Sequence, residues 1–200
     1  PSWEGRLYRQ LDPATLTAEE ERTVMEAAQP SASHCWQYDS VEALNDEILP
    51  KDSNDHSIPR FTWWDHRGTA EWVQYDWHKP VTVKGVRVYW FDDEPGGGHC
   101  RLPASWQVLC RQSDQWVPVK TSGDYPIVKD GWSEVQCEPV QTTGLRLEVQ
   151  LRPDWSGGIL EWRVDGGWNC TRDLSRLQTS EDLTLINRLH QILSVYHRAT

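Results

Sequence analysis

The sequence predicts an all-β domain, an antiparallel β-sandwich with short helical extensions at both ends. Three observations predict it. Between Ser31 and Val164, short runs rich in Val, Trp, Tyr and Leu alternate with clusters of Gly, Pro, Asp and Asn. Several of these runs carry an apolar residue at every second position, the period of a half-buried strand. No helix-period segment separates them, which disfavours a parallel sheet with crossover helices.

The elements follow in chain order. Residues 1–30 read as an extension. Thr17-Ala18-Glu19-Glu20 is a capping box, because the Thr hydroxyl accepts from the N3 amide while Glu20 reaches back. It predicts a helix over Ala18–Ala28, stopped by Pro30. Residues 31–166 read as the sandwich. There Val73, Tyr75 and Trp77 share one strand face, as do Val86, Val88 and Trp90, and then Trp106, Val108 and Cys110. Leu145, Leu147, Val149 and Leu151 alternate with Arg146, Glu148 and Gln150, the clearest strand of the chain, and Ile159–Val164 is the last. Residues 167–200 read as a linker and an amphipathic helix over Ser180–His197, with Leu185, Leu189, Ile192 and Tyr196 on one stripe. That stripe needs a surface to cover, on the sandwich or on a neighbouring domain.

Composition narrows the function. Thirty Asp and Glu against 20 Lys and Arg leave no basic stripe, so no nucleic-acid partner is expected. No apolar run approaches spanning length, so no membrane partner is expected either. The aromatic usage is lopsided, with 13 Trp and 2 Phe. Trp fills cores, and most of these are expected to do so, but its flat face also stacks on the C–H faces of sugars. Five cysteines without a C-x-x-C pair leave a zinc ribbon or thioredoxin-like site unsupported, and the odd count leaves at least one thiol free unless an intermolecular bridge forms, with the pairing of the others open. Asn169-Cys170-Thr171 fits an N-glycosylation triplet. No nucleophile elbow, H-E-x-x-H, P-loop or G-x-G-x-x-G motif occurs.

Four ordered motifs carry a family resemblance. Ala43-Leu44-Asn45-Asp46 resembles the A-(hydrophobic)-x-D-G loop of galactose-binding-like domains, with Glu47 where that loop usually has Gly. Glu71–Asp76 resembles their W-(hydrophobic)-x-(hydrophobic)-D strand, Arg101–Trp106 their R-(hydrophobic)-P-x-S-W strand, and Gly158–Val164 their closing G-I-x-E strand. The set covers about two thirds of the chain and is similar to discoidin and coagulation-factor C-type domains and many carbohydrate-binding modules. Ser53–Asp65 with Tyr89–Asp93 resembles accessory domains of bacterial glycoside hydrolases of the β-L-arabinofuranosidase type, family 127. The resemblance implies a jelly-roll module of a secreted or periplasmic glycan-degrading enzyme. Its partners would be a plant or microbial polysaccharide and the catalytic domain of the parent enzyme.

The resemblance also places candidate sites. Asp46 and Glu161 match positions that meet at one edge of the sandwich around a structural calcium ion, with Ser53 as a further oxygen ligand. Otherwise Asp46 caps its own turn and Glu161 pairs with an Arg. Arg60, Trp63, Trp64, Asp65 and His66 form a dense loop cluster in which Arg and Asp could grip vicinal hydroxyls, with one Trp buried and the other available. Asp92, Asp93, Arg101 and Trp155 lie on loops expected to join it at one end of the sandwich. Three functions compete on this reading. A non-catalytic sugar-binding module leads, a docking domain without sugar binding follows, and a small glycoside-active enzyme with paired carboxylates comes last. Burial of Trp63, Trp64 and Trp155 would favour docking. A deep pocket with two facing carboxylates would favour the enzyme.

Overall fold

The computed structural model describes residues 24–168. Seven strands follow in order: β1 (Gln29–Ala32), β2 (Phe61–Thr62), β3 (Ala70–Phe91), β4 (Ser105–Gln112), β5 (Gln115–Pro118), β6 (Trp132–Gln150) and β7 (Gly158–Trp168). All ladders between them are antiparallel. The expected two sheets share two long strands. The runs around Val73 and Val88 belong to one strand, β3, whose register with β6 slips between Asp76 and Val81. Exposed His78-Lys79-Pro80 marks that corner, where Pro needs no ladder partner.

The corner makes two layers from one hydrogen-bonded ribbon. Residues 70–76 of β3 pair with residues 144–150 of β6, and β1 and β4–β5 extend this layer. Residues 81–91 of β3 pair with β7, which carries β2 on its other edge. The layers face each other through aromatic contacts. Tyr75 stacks on Trp162 at 3.9 Å, and Trp90 meets Trp106 edge-on at 5.6 Å. Val73, Tyr75, Val88, Trp90, Leu145 and Leu147 are all fully buried, as their alternation predicts.

Tryptophan splits more evenly than composition suggests. Trp63, Trp77, Trp90, Trp106 and Trp162 are buried, whereas Trp36, Trp64, Trp72, Trp116, Trp132 and Trp155 are half-buried. Five of these half-buried rings lie under arginine guanidinium groups, which cover an aromatic face while staying hydrated.

The segment before Ser31 is more than an extension. A helical turn at Val24–Glu26 is described, and Val24, Met25 and Ala28 join the core. The Trp77 indole donates to the Val24 carbonyl at 2.9 Å. Pro30 sits in edge strand β1 instead of only ending a helix. The rest of the Ala18–Ala28 helix, the Ser180–His197 helix and the glycosylation triplet lie outside the described residues. Cys35, Cys100, Cys110 and Cys137 are free thiols. Among the described residues, no helix is long and apolar enough to cross a membrane.

Candidate functional site

The segment 33–40 runs beside β2 and brings the first wall of a cleft. Trp36 N–H donates to the Thr62 carbonyl at 3.1 Å, and Ser40 N–H to the Arg60 carbonyl at 3.3 Å. Asp39, between them, accepts from the Thr62 hydroxyl at 2.5 Å and lies 3.2 Å from Arg60 Nε. Burial raises the Asp39 carboxyl, and Thr62 and Arg60 pull it back. The turn and the arginine therefore fix one another.

Arg60 is held in place on three sides. Its Nη1 lies 2.9 Å from His56 Nδ1, and His56 Nε2 lies 3.1 Å from the Asn54 side-chain oxygen. Its guanidinium lies 5.1 Å from the centre of the Phe91 ring.

The loop after β3 brings the opposite wall. Asp93 Oδ1 accepts from Cys100 N–H at 2.7 Å and from Arg101 Nη1 at 3.4 Å. Gly98 lets the chain close over this carboxylate, because a Cβ there would stand 2.0 Å from Asp93 Oδ2. Arg101 also donates to the carbonyls of Gly98 and Cys100. Its guanidinium covers Trp155 at 3.9 Å. His99 stands between two indoles, stacked on Trp64 at 5.3 Å and on Trp155 at 6.1 Å.

These walls enclose a cleft of about 160 Å³, lined among others by Trp36, Arg60, Trp64, Asp93 and His99. Buried Cys100 also lines it, and burial pushes that thiol up to about 12, which keeps it neutral. The cleft offers aromatic faces, a guanidinium, a carboxylate and an imidazole at one opening. Such a set can hold a ring with apolar C–H faces and polar edges.

Of the residues expected from sequence, Arg60, Trp64 and Asp93 line the cleft, and Arg101 and Trp155 brace it. Trp63 does not. It is fully buried against Phe61, and its indole N–H points to the Trp72 carbonyl at 3.4 Å inside the fold. Asp92 is a second correction. It is 3% exposed, and its oxygens accept from the backbone of Glu94 and Leu102 and from Lys129, so it builds the loop and does not face solvent. His66 turns to Glu71 at 2.7 Å and stacks on His34. Asp65 is exposed beside Trp64. Trp36 and His99 also line the cleft, although neither is among the binding residues expected from the sequence. Trp36 lies in a segment without strand period, and His99 reads as one polar residue in a glycine-rich turn.

The carboxylates form a second locus. Asp46 and Glu161 stand close enough that each influences the other's protonation. Burial pushes Glu161 up to about 8, with Arg163 opposing and Asp46 adding to the rise. Asp46 is raised too, chiefly by burial, although Glu161 acts to lower it. Both alternative roles are also present, since Asp46 Oδ1 caps Ile48 N–H at 2.9 Å and Arg163 Nε donates to Glu161 Oε1 at 3.1 Å. The other oxygens, Asp46 Oδ2 and Glu161 Oε2, are buried without a donor. Glu47 adopts a φ of 63°, so the loop keeps its left-handed residue without a glycine. Ser53 is engaged elsewhere, giving its N–H to Asp130 Oδ1 and accepting the Asp130 N–H at its hydroxyl.

No known family's sequence profile matches the chain. Its fold is nonetheless shared. A structure of the Streptococcus pneumoniae β-galactosidase BgaA matches with a TM-score of 0.56 and 17% identity, over 70% of this chain and 92% of that one. The family 32 carbohydrate-binding module of C. perfringens NanJ, in complex with galactose, matches at 0.53 and 10%, over 70% and 94%. Chitosan-binding module 1 of a Paenibacillus sp. IK-5 chitosanase/glucanase matches at 0.51 and 13%, over 69% and 94%. This chain has the jelly-roll fold of galactose-binding-like carbohydrate-binding modules. At these identities the likeness establishes the fold.

Proposed function

We propose that this chain is a non-catalytic carbohydrate-binding module of a secreted glycan-degrading enzyme, and that the Trp36–Arg60–Trp64–His99 cleft holds the sugar. The observation that carries this reading is the cleft itself, where flat aromatic rings and three kinds of hydrogen-bonding group converge on a space of about 160 Å³. Solved modules of this fold bind galactose in one case and are named for chitosan in another, which supports a carbohydrate ligand. Plant-type glycan is the class proposed, with a parent enzyme of the β-L-arabinofuranosidase type. Trp64 and Trp155 keep partial exposure at the cleft, which favours sugar binding over a docking role.

The Asp46–Glu161 pair does not suit glycoside hydrolysis. Retaining enzymes space their carboxyl groups by about 5–5.5 Å and inverting enzymes by more. Here each acid already spends one oxygen on the fold, Asp46 on Ile48 N–H and Glu161 on Arg163, and neither lines the cleft.

Calcium is proposed at that pair as a structural ion. The fit rests on the two orphaned oxygens, Asp46 Oδ2 and Glu161 Oε2, which suit a hard cation. The ion would neutralise both acids and tie the 46–48 turn to β7.

Calorimetric titration with galactose, chitotriose and arabinan oligosaccharides tests the sugar reading. Binding to one of them that Trp64→Ala abolishes supports it. No binding to any, together with tight association to a separately expressed catalytic domain, would replace it with the docking role.

A further inference from the structure

We propose that the cleft takes an oligosaccharide, not a lone sugar, and that Tyr38 stacks on the ring next to the one held inside. This rests on the sugar-binding reading above. The first ground is size. At about 160 Å³ the cleft falls below the usual range for small-molecule pockets, roughly 300–1,000 Å³, and has room for about one sugar ring. Any further ring must lie on the surface beside it.

The second ground is what stands there. Tyr38 is 75% exposed, the most open of the exposed large hydrophobic residues described. Its ring meets Trp36, a cleft wall, edge-on at 5.0 Å. A turn tip does not itself require an aromatic residue, since turns favour Gly, Pro, Asn, Asp and Ser.

The third ground is rigidity. Asp39 N–H closes the turn on the Trp36 carbonyl at 3.0 Å, and the Asp39 carboxylate is held by Thr62 and Arg60. Tyr38 is thus presented on a braced turn, where stacking orders few additional torsions. Its ring supplies a flat apolar face and its hydroxyl a polar tip, the pairing a pyranose or furanose ring requires.

The test is calorimetry on the full chain with matched ligands: galactose against GalNAc-β-1,3-galactose, and glucosamine against chitotriose. The parent chain is expected to bind the longer member of a pair roughly two- to tenfold more tightly, the usual worth of one aromatic stack. Tyr38→Ala should remove that advantage while leaving monosaccharide affinity and melting temperature unchanged, and Tyr38→Phe should keep most of it. Equal affinity of the parent for both members of a pair overturns the inference while the sugar-binding reading stands. So does a Tyr38→Ala chain that keeps the full advantage. If the parent binds none of these four ligands and no arabinan oligosaccharide, the underlying reading fails and this one with it.

Discussion

At and beside the cleft, charge is matched almost group for group: Arg60 with Asp39, Arg101 with Asp93, and Lys129 with Asp92. At the other locus, two neighbouring acids have one cation beside them, Arg163, paired with Glu161, and keep two oxygens without donors. The difference separates two uses of polar residues. Matched groups hold a shape open at little electrostatic cost, because each charge stays near water or its counter-ion. Crowded buried acids store an electrostatic demand that a proton or a metal ion must satisfy. The cleft is therefore read through ligand binding, and the pair through stability.

The largest expected effect separates the core beneath the cleft from the cleft wall. Trp63→Ala should cost about 3–5 kcal/mol of folding stability, the usual price of removing a buried aromatic ring. Its neighbour Trp64→Ala should cost less than about 1 kcal/mol and abolish sugar binding instead. Urea denaturation with parallel calorimetry reads both. Equal destabilisation by the two variants would erase the distinction between wall and core.

The pair responds to pH next. Glu161 sits at about 8 in the fold against its ordinary 4.5, so between those values the folded chain holds a proton that the unfolded chain has released. Its contribution is fully present below pH 4.5 and is lost as pH rises toward 8. In the presence of a chelator, stability should fall by a few kcal/mol across that window. Glu161→Gln should flatten the profile. A Glu161→Gln profile that keeps the slope would remove the pair as its source.

Calcium should oppose this loss. At about a hundredfold over its dissociation constant it should add about 2.7 kcal/mol to the parent chain near pH 8, and little to Glu161→Gln. Thermal denaturation with and without the ion checks it. An unchanged melting temperature on adding calcium to chelator-treated protein leaves the proton as the only occupant.

The smallest effect is at Glu47. With φ at 63°, Glu47→Gly relieves left-handed strain but frees the unfolded chain, for a net gain of at most about 1 kcal/mol. Denaturant midpoints resolve such a difference. A loss of stability would mean that the Glu47 side chain does more than occupy the position.

Much of the sandwich was legible because alternation is a local property. Val73, Tyr75, Leu145 and Leu147 could be assigned inward from their own neighbours, and all four are fully buried. The strand corner at His78-Lys79-Pro80 was harder to see, since a bent strand and two separate strands share one local pattern. The site was less legible still. Arg60, Trp64 and Asp93 stood out as loop residues of suitable chemistry, but so did Trp63 and Asp92. Only packing tells a ring that lines a cleft from the ring beside it that fills the core.

By itself, then, the sequence determined the all-β class, the inward faces of the main strands and the pairing of Asp46 with Glu161 through motif resemblance. Tertiary structure alone decided which of two adjacent tryptophans meets solvent, that Asp92 is consumed by its own loop, and that Trp36 and His99 complete the cleft. The physical reason is range. Strand period is set by successive residues, whereas a binding wall is assembled from loops tens of residues apart, whose side chains compete for the same hydrogen-bond donors and the same buried space.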